Sequence, residues 1–138
     1  MLTDQEFESL KDKLVALSDR WLGVLGLKYW RVTMLYSREQ LPVNSEPVEL
    51  GGVCLANTSA RWRYRDATIT FNMPALMDKD DEDLETVFVH ECMHIVLNET
   101  RQTCEDWLEH EVRVATDLTY AFLCTREEGV PPKAEQSQ

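Results

Sequence analysis

The sequence predicts an α+β fold: an N-terminal helix, a small and mostly antiparallel sheet of three or four strands, and two further helices. Apolar residues recur every three or four positions near both ends of the chain, as on one face of a helix. Between them, apolar and polar residues alternate, as in half-buried strands. The 138 residues suit one domain, placed at 1–128, with 129–138 predicted to be a disordered tail.

Composition and charge limit the partners. Apolar residues make up 43% and charged residues 28%, which is typical of a globular domain. The 25 acidic against 14 basic residues give a net charge of -11, so general binding to nucleic acid is not expected. No segment approaches the ~20 apolar residues of a membrane span. Without a recognisable signal peptide or a paired-cysteine motif, a cytoplasmic location is expected. The oligomeric state stays open.

The first helix begins at a capping box, in which Thr3 and Glu6 can each satisfy a backbone N–H group. The apolar stripe behind it runs from Phe7 to Val24 and predicts a helix packed on the core. Gly26 is expected to end this helix.

The strands are predicted from alternation and are separated by turn-forming residues. Residues 29–36 alternate cleanly, whereas 40–47 contain two prolines, an asparagine and a serine and predict a loop. A weaker strand is expected at about 50–57. Residues 61–65 alternate arginine with aromatic residues and are interpreted as a basic, solvated strand face. The clearest strand is 67–72.

The two C-terminal helices are predicted from capping residues. The acidic run 78–85 favours the positive end of a helix dipole, so a helix is expected from about residue 80 to Asn98. Capping explains this run without a calcium site, since the calcium-loop pattern is absent. Thr103, followed by Asp106, is expected to cap the last helix.

The middle helix carries the sequence His90-Glu91-Cys92-Met93-His94, an HExxH motif. Residues four apart lie one turn above each other, so both histidines project from the same face. Two imidazoles so placed can bind one Zn²⁺, and Glu91 lies beside them as a base for a metal-bound water. With 3 histidines in the chain, residue frequencies give about 0.007 chance matches to this pattern. Cys92 is interpreted as a small buried side chain.

A catalytic zinc usually takes a third protein ligand, and two candidates lie on the last helix. Glu111 falls on the apolar stripe of that helix, four residues after Trp107 and four before Ala115. A carboxylate in such a stripe is costly unless it is paired or metal-bound. The alternatives are a Glu111 that reaches solvent at the stripe's margin, and the adjacent His110 as ligand.

An HExxH helix followed after 16 intervening residues by a helical glutamate resembles the gluzincin class of zinc peptidases. The short element order resembles the minigluzincins and the ImmA/IrrE-type peptidases, and more loosely the SprT-type domains. The resemblance implies a zincin-like fold with His90, His94 and Glu111 as zinc ligands and Glu91 as general base. A SprT-like site would use His110 instead of Glu111. For the family's transition-state-stabilising side chain, Tyr64 and Tyr120 are the candidates.

The expected function is that of a zinc metallopeptidase acting on peptides or proteins. In zincins an edge strand beside the active-site helix holds the substrate by strand addition, and 67–72 is the candidate strand. The alternative is a catalytically silent, zincin-like metal-binding module used for protein–protein interaction.

Overall fold

A computed structural model describes residues 2–41, 54–103 and 107–129, with side chains except at 101–103, 107–110 and 126–129. The described residues form an α+β fold of five helices and a three-stranded mixed sheet. Its elements are α1 Asp4–Val24, β1 Arg31–Ser37, β2 Ala56–Arg61, β3 Asp66–Asn72, α2 Met73–Leu76, α3 Asp81–Val96, α4 Asn98–Thr103 and α5 Trp107–Gly129. No helix in these ranges is long and apolar enough to cross a bilayer.

Helix α1 begins at the predicted capping box. The Thr3 hydroxyl accepts a hydrogen bond from the Glu6 backbone N–H at 3.1 Å, and the Thr3 N–H donates to the Glu6 carboxylate at 2.9 Å. Gly26 follows the helix with φ +79°, a conformation that suits glycine. The buried stripe ends earlier than predicted, because Val24 is exposed; its buried members are Phe7, Leu10, Leu14 and Trp21.

The sheet has the order β1-β3-β2, and it is mixed where the sequence predicted mostly antiparallel strands. β2 and β3 form a hairpin and are antiparallel, whereas β1 pairs with the other side of β3 in parallel. β3 is therefore the central strand. Its alternation was read correctly, since Ile69 and Phe71 are fully buried.

The segment 61–65 is not a strand face. Arg61 ends β2, and 62–65 form the turn into β3, with Arg65 at the positive φ of 54°. Alternation alone did not reveal this turn because it contains neither glycine nor proline. The second strand lies later than predicted, at Ala56–Arg61. The predicted loop 40–47, from residue 42 on, and the first part of the predicted strand 50–57 lie outside the described residues.

Helix α3 confirms its predicted start and end. The Asp80 carboxylate accepts a hydrogen bond from the Asp83 N–H at 2.8 Å, and Leu97 caps the C-terminus. Glu85 departs from the capping interpretation, since only 4% of it is exposed. Its carboxylate accepts hydrogen bonds from Trp21 Nε1 at 2.8 Å and Arg20 Nη1 at 3.0 Å, which ties α3 to α1.

The segment after α3 contains a short helix that the sequence did not predict. Thr103 is the last residue of α4 and not the cap of the next helix. Residues 104–106 lie outside the description, and α5 is described as far as Gly129, the first residue of the predicted tail. The predicted tail beyond Gly129 also lies outside the described residues.

Aromatic rings join the sheet to α3. Tyr36 of β1 stacks on Phe71 of β3 with ring centroids 5.9 Å apart, and Phe71 stacks on Phe88 of α3 at 6.2 Å. Helix α3 also contacts α1, α5 and β2, so it lies at the centre of the core. The HExxH motif therefore sits on the helix with the most extensive packing.

Candidate metal centre

His90 and His94 face the same side of α3, as their spacing predicts. Their ring centroids lie 4.9 Å apart with the planes nearly perpendicular. Two imidazoles on one tetrahedral zinc ion have centroids about 5 Å apart, given Zn–N bonds of about 2.0–2.1 Å. The pair thus has a spacing that fits a shared ion.

Glu111 lies on the adjacent helix α5 and contacts His94. The side chain is 0% exposed, and Glu111 Oε2 lies 2.7 Å from His94 Nδ1. The interpretation of Glu111 as a solvent-reaching residue at the margin of its stripe is therefore wrong. A carboxylate at hydrogen-bond distance from a metal-binding histidine fixes the orientation and the tautomer of its ring.

Burial keeps the imidazole of His90 neutral. Loss of solvent lowers the pKa of His90 from 6.5 to about 4, with a smaller contribution from the nearby His94. A histidine must be neutral to donate its nitrogen lone pair to a metal. At neutral pH His90 is therefore in the form that binds zinc.

Glu91 lies at the sheet side of α3 and is held by β2. Only 8% of Glu91 is exposed. The Thr58 hydroxyl is in close hydrogen-bond contact with Glu91 Oε1 and lies 3.4 Å from the Glu91 carbonyl oxygen. No sequence motif marks Thr58 as a functional residue. The alternation of β2 turns it inward with Ala56 and Ala60, but the helix it meets could not be read from the chain.

The strand beside the motif is β2, not β3. β3 is paired on both sides and cannot accept an added strand, so the expectation for 67–72 is wrong. Within the described residues, β2 is paired on one side only and contacts α3. The Trp62 N–H, just past β2, donates to Asn98 Oδ1 at 3.1 Å near the end of α3.

The side chains of His90, His94 and Glu111 are of the types that bind zinc, but they are not spaced to surround one ion. Among the described residues, no three His, Cys, Asp or Glu side chains are spaced to hold a metal ion as placed. His94 and Glu111 contact each other directly through Nδ1 and Oε2. Two imidazoles and a buried carboxylate are nevertheless the ligands that zinc takes in peptidases.

Comparisons with protein-family models, curated proteins and solved structures gave no match for this chain. Its function is therefore inferred from His90, Glu91, His94 and Glu111 and from the residues that surround them.

The remaining candidates take no part in the described contacts of the motif. The side chain of His110, the alternative ligand, lies outside the described residues. Tyr64 and Tyr120 are both more than half exposed, and Tyr64 packs against the Arg61 guanidinium. Cys92 is buried as predicted, and burial, with the nearby Glu91, raises the pKa of its thiol. At neutral pH that thiol is protonated and a poor metal ligand.

Proposed function

We propose that this chain is a zinc-dependent peptidase of the gluzincin type that hydrolyses peptides or proteins in the cytoplasm. The observation that carries the proposal is the fully buried Glu111 carboxylate, whose Oε2 lies 2.7 Å from His94 Nδ1. His94 itself lies one helical turn after His90 on α3. Burying a carboxylate is costly unless it is paired or binds a cation. Its burial beside the HExxH helix supports Glu111 as the third zinc ligand.

In this proposal His90, His94 and Glu111 hold the ion. Zinc, when bound, polarises the carbonyl of the cleaved bond and lowers the pKa of a water molecule toward about 7. His90 contributes a neutral nitrogen donor, since burial lowers its pKa to about 4, and His94 contributes the second ring nitrogen. Glu111 contributes negative charge and joins the ligand helix α5 to α3.

Glu91 is the general base. Its carboxylate takes a proton from the attacking water and passes it to the leaving amine. Such a base must stay in one orientation through both transfers. The contacts from Thr58 to Oε1 and to the Glu91 carbonyl oxygen support this role, because they fix the side chain and the backbone of the same residue.

The edge of β2 that pairs with no described strand is the proposed binding site for the substrate. An extended peptide that adds to a sheet edge forms backbone hydrogen bonds whatever its sequence. Because Thr58 of β2 contacts Glu91, a peptide along this edge passes close to the base.

The proposal is tested by incubating the zinc-loaded protein with unfolded casein and following the fragments by mass spectrometry. We expect cleavage that a zinc chelator stops and added zinc restores. Cleavage that persists without metal would contradict the proposal. Zinc binding without cleavage would instead support the silent metal-binding module.

A further inference from the structure

Two arginines of one turn have no carboxylate partner among the described residues, in a protein of net charge -11. Arg63 and Arg65 are exposed and make no ion pair with any described residue. Six other basic side chains of the described ranges do pair with carboxylates: Lys13, Arg20, Arg31, Arg38, Arg61 and Arg113. The turn between β2 and β3 thus presents two cationic side chains that pair with no carboxylate of the described residues.

The backbone conformation of Arg65 is unusual for an arginine. Its φ of 54° lies in the left-handed region, which glycine and asparagine adopt most easily and other side chains only at a cost. Nothing in the turn's hydrogen bonds requires an arginine: the Arg65 N–H donates to the Trp62 carbonyl and its own carbonyl accepts from Arg31 N. A strained residue that stability does not explain points to a function.

The turn is fixed next to the proposed active site. The Trp62 N–H donates to Asn98 Oδ1 just past the end of α3, and the Arg63 guanidinium stacks on the Trp62 ring at 4.7 Å. The acidic start of α3 lies at the other end of a 16-residue helix, about 24 Å away. That is about three Debye lengths at physiological salt, so the acidic run does not neutralise the turn.

We infer that the β2–β3 turn, through Arg63 and Arg65, is a subsite for acidic side chains of a peptide lying along β2. The position along β2 rests on the proposed peptidase function, whereas the preference for acidic peptides rests on the charges alone. Thr58 lies at Glu91, and Arg61 stands three residues further along β2. At about 3.3 Å per residue this is about 10 Å, so the acidic side chains lie three or more residues from the cleaved bond.

An acidic peptide fits this surface better than a nucleic acid does. Two arginines offer charge for two or three carboxylates. A long polyanion would extend beyond the turn onto a molecule with 25 acidic against 14 basic residues, which repels it.

The test measures binding without cleavage, in the full chain carrying Glu91→Gln. The probes are three fluorescent peptides of identical length that carry three consecutive Glu, Gln or Lys residues, and a single-stranded oligothymidine. Fluorescence anisotropy at low and physiological salt gives the affinities, with zinc and with chelator. We expect the Glu peptide to bind about 10-fold or more tightly than the Gln peptide, less so at higher salt.

Adding Arg63→Gln and Arg65→Asn together should abolish that preference. Because asparagine adopts the left-handed conformation easily, the melting temperature of the double variant should equal that of the parent or exceed it. If the double variant does not fold, Arg63→Gln alone is measured in its place. The control, Arg38→Gln with Arg113→Gln, removes equal charge from exposed ion pairs and should keep the preference.

Equal binding of the Glu and Gln peptides would overturn the inference, as would loss of the preference in the control or tighter binding of the oligothymidine. If the arginines are needed for Glu-peptide binding but the parent protein cleaves nothing, the peptidase proposal fails and the acidic-peptide site stands.

Discussion

Glu111 Oε2 lies 2.7 Å from His94 Nδ1, with both side chains out of water. The contact joins α5 to the HExxH helix at the point where the motif ends. A buried carboxylate against a buried imidazole is costly unless the pair shares a proton or binds a cation. We propose that zinc is that cation.

Replacing Glu111 should weaken zinc binding more than replacing His110. Glu111→Ala removes a buried anionic donor, and we expect the zinc affinity to fall about 10–100-fold or more, since even residues behind the ligands have effects of that size. His110→Ala should change it little. Competitive titration against a chromophoric chelator measures both variants. The reverse ranking would favour a three-histidine, SprT-like site.

The natively purified protein should contain about one zinc ion per chain, as read by elemental analysis. A chelator should lower its melting temperature, because a ligand that binds only the folded state stabilises it. The His90→Asn variant is the matched control and should respond less to the chelator. A parent protein with no zinc, nickel or cobalt would contradict this account.

Acid should destabilise the metal-free protein through His90. Burial lowers the pKa of His90 from 6.5 to about 4, so below about pH 6.5 the unfolded chain binds a proton that the folded chain does not. Stability should therefore fall as the pH drops from 6.5 toward 4, and the same protonation should release zinc. Thermal melts at several pH values measure this. His90→Asn should flatten that part of the profile; an unchanged profile would show that other groups cause it.

Glu85 should matter for stability although it stands in an acidic run. Glu85→Ala leaves the Trp21 indole N–H without its acceptor, which costs about 1–3 kcal/mol of unfolding free energy. Arg20 is more than half exposed and can be hydrated instead. Glu82→Ala, on the exposed side of the same helix, should change stability by no more than about 0.5 kcal/mol. Urea unfolding compares the two, and equal effects would contradict the buried role of Glu85.

Features that depend on neighbouring residues were predictable from the sequence, whereas contacts between distant segments were not. The caps at Thr3 and Asp80 depend on neighbours three residues away, so both helix starts were predictable. The burial of Glu111 followed from its place in an apolar stripe. By contrast, the central position of β3 depends on a parallel pairing with β1, which the alternation of one strand does not encode.

At the candidate site, too, the local features were predictable and the long-range contacts were not. The spacing of His90 and His94 on one helix face is local, whereas the contact of Thr58 with Glu91 spans 33 positions along the chain. The partners of Glu85 lie 64 and 65 positions away, so the local sequence indicates only a helix cap for its carboxylate.

The most direct test of the central claim compares casein cleavage by the parent protein and by Glu91→Gln, both loaded with zinc to the same content. Glutamine keeps the shape of the side chain but cannot accept a proton. We predict that the variant retains zinc and its melting temperature and loses cleavage by a factor of about 10²–10⁴, the usual contribution of a general base. Equal rates in the two proteins would contradict the account, because the HExxH glutamate would then not be the base.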